Sequence, residues 1–82
     1  MTNEEIQQFL ADNNWISAGF CMKCSNRKEI FVNYKLPKFK LKISWKRKMI
    51  SVEHDFRHIQ YITFEAFTNE TLETIIAKTE IK

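Results

Sequence analysis

The sequence predicts an α+β fold: a four-stranded antiparallel meander with an N-terminal and a C-terminal helix packed on one face. Three observations lead there. Both ends of the chain repeat apolar residues at i, i+3 and i+4, the signature of an amphipathic helix. The middle alternates apolar and polar residues with the period of two that a half-buried strand requires. The connections between alternating segments are too short for crossover helices, which leaves antiparallel neighbours. With 82 residues, a 44% apolar fraction and one glycine and one proline, the chain reads as one domain without linker or repeat.

The first helix is expected over residues 3–13, where Ile6, Phe9 and Leu10 share a face. Thr2 followed by Glu5 matches a capping box, and Glu4 and Glu5 suit the positive end of the helix dipole. "DNNW" then ends the helix, because Asp and Asn side chains compete for backbone hydrogen bonds. "WISAGFCM" fits either a short strand or an extended arm under the sheet. "CSNRK" reads as a turn. "EIFVNY", residues 29–34, is β-branched and aromatic, hence a strand. Pro37 in "KLPK" cannot donate to a ladder and marks a connection. Residues 39–45, "FKLKISW", alternate strictly. "KRK" forms a charged hairpin tip before a third strand at 49–53. "HDFRH" connects to a fourth at about 59–65. The last helix is expected over 69–78, with Leu72, Ile75 and Ile76 on one face, Thr68 or Asn69 as cap and Lys78 in the last turn.

Sorting these strands by the period of two yields a core face of Ile30, Val32, Tyr34, Phe39, Leu41, Ile43, Trp45, Ile50, Val52, Ile62 and Phe64. The opposite face carries Phe31, Asn33, Lys35, Lys38, Lys40, Lys42, Lys46, Met49, Ser51, Glu53, Tyr61, Thr63 and Glu65. The lysines thus stand away from the helices.

Charge is distributed unevenly. The net charge is +3, yet residues 23–48 hold ten basic residues and a single acid, Glu29. Alternating lysines can simply keep a solvated strand soluble and block edge pairing. That reading leaves the local lack of acids unexplained, because like charges across strands are destabilising. A polyanionic partner explains it: regularly spaced ammonium groups neutralise phosphates and release counterions. Lys35, Lys38, Lys40, Lys42, Lys46, Arg47 and Lys48 would supply charge, and Phe31 and Tyr61 would stack or anchor. Lysine lacks the bidentate fork that reads guanine, so nucleic-acid binding would carry low sequence specificity. An acidic protein surface is the alternative partner. An exposed edge strand would permit dimers.

Cys21 and Cys24 form C-x2-C, and His54 and His58 form H-x3-H; the four ligand types suit a tetrahedral zinc site. The gap between the pairs far exceeds finger spacing, and in a meander the pairs fall at opposite ends of the strands. No cofactor is therefore expected, and the cysteines read as reduced thiols. "EHDFRH" offers Glu53, His54, Asp55, Arg57 and His58, but no second cluster completes a catalytic site. No P-loop or nucleophile elbow is present, so no enzyme is expected. No apolar run reaches the roughly 18 residues of a membrane span, and "MTNEEIQQFL" lacks a secretory pattern, which points to the cytoplasm.

Across "NNWISAGFCMKCSNRKEIF" and "FKLKISWKRKMISV" the chain resembles short, uncharacterised proteins of bacterial viruses and mobile elements. In these a helix leads to a Trp, then C-x2-C, then a basic hairpin. Ser25 and Asn26 stand where that group carries glycines. The resemblance implies an accessory protein that binds nucleic acid or a host or viral factor, and it implies no activity.

Overall fold

The computed structural model describes residues 1–21 and 27–80. In chain order the elements are α1 (Asn3–Asp12), β1 (Ile16–Cys21), β2 (Lys28–Val32), β3 (Phe39–Ser44), β4 (Met49–His54), β5 (Arg57–Thr63) and α2 (Asn69–Glu80). The sheet has five strands in the order β1-β2-β3-β4-β5, each antiparallel to the next. The α+β meander with two helices is as expected, but the expected four strands are five. The extra strand is β1, from the ambiguous "WISAGFCM". Its residues Ile16 to Phe20 are exposed on both sides, so no burial alternation marks it. A bulge between Ser17 and Gly19 breaks its period as well. Gly19 sits at φ +101°, which a side chain rarely tolerates, and this supplies the bend.

Helix α1 starts as its sequence demands. The Glu5 N–H donates to the Thr2 hydroxyl, and the Thr2 N–H donates to the Glu5 carboxylate at 3.0 Å. The Thr2 N–H bond, followed by the Thr2 hydroxyl, holds the Glu5 carboxyl below its ordinary value of 4.5. Ile6, Phe9 and Leu10 point into the core. Helix α2 is capped by Thr68, whose hydroxyl accepts from the Thr71 N–H. Phe67 before the cap and Leu72 one turn in are both buried, the pattern of a hydrophobic staple.

Two rows of paired residues cross the core face: Ser17–Phe31–Leu41–Val52–Gln60 and Phe20–Glu29–Ile43–Ile50–Ile62. Their central members join Ile6, Phe9 and Leu10 of α1 and Leu72 and Ile75 of α2 in one buried cluster with Trp15, Phe39, Phe64 and Phe67. Each fully buried large apolar side chain contributes roughly 1.5–3 kcal/mol. Phe9 meets Phe67 edge to face, and Trp45 meets both Phe31 and Phe64 in the same way.

The phase of β2 is opposite to that expected. Phe31 is 8% exposed and packs in the core, whereas Ile30 and Val32 turn to the open face. Tyr34, expected in the core, is 82% exposed in the turn after β2. Asn33, expected on the open face, is buried, and its amide donates to the Asn13 carbonyl. Three consecutive apolar residues carry no period of their own. The pairing of Phe31 with Leu41 decides the phase, and a one-residue slip would turn every side chain over.

Candidate nucleic-acid interface

Two further rows cross the face that carries no helix. They read Ile16–Val32–Lys40–Glu53–His58 and Gly19–Ile30–Lys42–Ser51–Tyr61. Lys40 and Lys42 therefore stand side by side on β3, because its alternation is strict and its other face fills the core. Next to them β4 supplies Glu53, and β5 supplies His58 and Tyr61. On the other flank β2 contributes Ile30 and Val32, so this side of the face is apolar. The amines form a stripe rather than a uniformly basic sheet.

Each described group in the stripe has a defined partner. Lys42 Nζ lies 2.9 Å from the Glu53 carboxylate. The Lys40 amine sits 4.9 Å from the centre of the Phe56 ring, a cation–π contact. Lys28, at the start of β2, reaches over the sheet to within 5.4 Å of the Tyr61 ring centre. The Tyr61 ring itself lies 4.2 Å from the His58 ring, and His58 Nδ1 is 2.8 Å from the Ser51 hydroxyl. Ser44 and Ser51 are buried on this helix-free side of the sheet, so the small side chains form a floor and the large ones stand over it.

The neighbourhood of Glu29 explains why the one acid of the basic stretch leaves the stripe positive. Its carboxylate accepts from Trp45 Nε1 at 2.9 Å and from the Ser17 hydroxyl at 2.6 Å, on the core side of the sheet. It ties β1 and Trp45 to β2 instead of neutralising Lys40 or Lys42.

The other expected cations stand elsewhere. Lys35 and Lys38 are exposed in the loop between β2 and β3, at one end of the sheet, beside a groove that also touches His54 and Glu80. Lys46, Arg47 and Lys48 form the turn between β3 and β4 at the other end. Arg47 and Lys48 line a groove that Glu4 and Glu65 also line. Phe31, expected as a stacking residue, is under the helices. Tyr61, expected with it, is on the open face and 53% exposed.

His54 and His58 diverge. His54 turns to the core side against the Phe39 ring, 4.7 Å between centroids, and His58 turns to the open side. Cys21 pairs with Lys28 at the far end of the strands from both histidines. Cys24 lies outside the described residues. Among the described residues no group of three or more His, Cys, Asp or Glu side chains gathers into a metal-holding cluster.

The sequence reading left out Lys28 and Phe56 and offered His58 only as a metal ligand or catalytic residue. The position of His58 depends on a bulge: β5 inserts Ile59 opposite the Val52–Glu53 step, so His58 and Tyr61 share a face although they are three residues apart. Phe56 had a readable signal. "HDFR" leaves two residues between paired strands, and such turns favour Asp-Gly with φ positive at both positions. Asp55 and Phe56 have φ of 52° and 67°, so a phenylalanine occupies the place of the glycine, with its ring 84% exposed. The Asp55 N–H donates to the Lys38 carbonyl, which fastens this turn to the preceding loop.

No protein-family model matches the chain, and no curated protein and no solved structure matches it either. The α+β meander with a helix-free, amine-bearing face is thus the class that fold and surface define. No described helix is long and apolar enough to cross a membrane.

Proposed function

We propose that this chain is a non-catalytic cytoplasmic binding protein whose helix-free face engages a polyanion, nucleic acid above all, with low sequence specificity. The observation that carries the reading is the stripe of Lys28, Lys40 and Lys42 amines beside the exposed Tyr61 ring. Ammonium groups at strand spacing match a phosphate backbone by charge, and the energy comes largely from released counterions. Lysine positions without reading base edges, which accounts for the low specificity. Neither a metal nor a cofactor is needed for this binding.

The reading is tested by titrating a labelled oligonucleotide with the protein at several salt concentrations. Three phosphate contacts on a single strand correspond to a log–log salt slope of about −2. Reversing two charges in Lys40→Glu with Lys42→Glu should lower affinity at least tenfold and flatten the slope. A salt-independent affinity, or one unchanged in the double variant, refutes the reading.

The apolar flank of Ile16, Ile30 and Val32 favours a second reading, an accessory protein that docks on an acidic protein surface. Apolar residues next to a charged rim are the anatomy of a protein interface. Recovery of one acidic protein from a nuclease-treated lysate, lost with Lys40→Glu, would favour it.

A further inference from the structure

We infer that the open face takes single-stranded rather than duplex nucleic acid, its bases stacking on two separate ring platforms, the Tyr61–His58 pair and Phe56. This rests on the polyanion reading above and specifies the form of the polymer.

The first support is the chemistry of the exposed rings. A duplex hides the π-faces of its bases and presents phosphates and groove edges. A surface built for a duplex needs amines and gains nothing from exposed aromatic rings. A single strand offers a π-face at every base, and stacking is indifferent to sequence. Tyr61 is held against His58 by ring contact, and His58 is held by the Ser51 hydroxyl, so the platform is set before a ligand arrives. Lys28 stands at 5.4 Å from the same ring and Lys40 at 4.9 Å from Phe56. Each ring is thereby paired with an amine, the combination of stacking and phosphate contact that a nucleotide requires.

The second support is the conformation of Phe56. A bulky residue at φ 67° is an outlier in a turn that glycine would fill without strain. Its ring is not used by the core, since it is 84% exposed. Strained backbone carrying an exposed aromatic ring is intelligible when the ring serves a contact outside the fold. Phe56 lies at the hairpin end and Tyr61 near the middle of β5, five residues apart, so their backbone positions are separated by roughly 13–16 Å along the strand. A tract of several nucleotides spans that distance.

The test is fluorescence anisotropy with a fifteen-nucleotide oligothymidylate and with a fifteen-base-pair duplex at equal phosphate concentration and salt. The oligothymidylate should bind at least tenfold more tightly. Tyr61→Ala and Phe56→Gly should each weaken it about five- to a hundredfold, the range expected for one lost stack, and should lower duplex affinity by much less. Phe56→Gly places the favoured Asp-Gly pair in the turn, so folding is preserved. Tyr61→Phe keeps the ring and should bind as the parent does. Equal affinity for the two polymers, or unchanged oligothymidylate binding in both ring variants, overturns the single-strand inference while salt-dependent binding keeps the polyanion reading. Binding of neither polymer overturns both.

Discussion

Substituting Phe56 with glycine and with alanine separates the energetic cost of its backbone from the value of its ring. In the left-handed region a residue bearing a Cβ is disfavoured by roughly 1–2 kcal/mol, and Phe56 lies there at φ 67°. Both substitutions delete the contact with the Lys40 amine, worth about 0.5–1 kcal/mol at an exposed site. Little burial is lost, because the ring is already solvated. Alanine keeps the Cβ and hence the strain, so Phe56→Ala should destabilise by about 0.5–1 kcal/mol. Glycine relieves the strain but gives the unfolded chain more freedom, an offset of about 0.5–1 kcal/mol. Phe56→Gly should therefore lie close to the parent and about 0.5–1 kcal/mol above Phe56→Ala. For a domain of this size that corresponds to a Tm difference of roughly 2–8 °C, measured by circular dichroism with urea unfolding as the check. A glycine variant that melts at or below the alanine variant refutes the reasoning: residue 56 would then not be confined to positive φ, and the two-residue turn would be wrong.

Four further outcomes follow from individual contacts. Glu53→Gln removes the carboxylate 2.9 Å from Lys42 and should raise oligonucleotide affinity about threefold, measured by anisotropy; a loss of affinity would show that Glu53 positions the amine rather than masking it. Glu29→Ala removes the acceptor of the half-buried Trp45 indole N–H and of the exposed Ser17 hydroxyl, which water can replace, and should cost about 0.5–1.5 kcal/mol in urea unfolding, with Trp fluorescence reporting the local change. Thr2→Ala should cost about 1 kcal/mol by removing the cap of α1. Because the folded Glu5 carboxyl titrates below 4.5, its contribution is complete above that pH and is lost as pH falls through the depressed value; Glu5→Gln should flatten that part of the stability profile, and an unchanged acid limb would exclude the contribution.

The residues differ in how far their sequence context reveals their place. Thr2, Glu5, Ile6, Phe9 and Leu10 specify α1 within little more than two turns, because a cap and a helical face are local patterns. The strict alternation of β3 likewise puts Lys40 and Lys42 opposite Leu41 and Ile43 with no further information. Strand β1 was only half legible, since its bulge and its two exposed sides leave no regular burial to see.

By itself the sequence determined the end helices, four of the five strands, their antiparallel pairing and the helix-free side of the lysines on β3. These follow from periods of 3.6 and 2 and from short connections, all of which act within a few residues. Only the tertiary structure decided that Phe31 is core and Ile30 is not, that Glu29 serves Trp45, and that His58, Tyr61, Lys28 and Phe56 surround the stripe. Those placements depend on register between strands and on two bulges. Register is chosen by the packing energy of the whole sheet, and one inserted residue reverses every side chain beyond it.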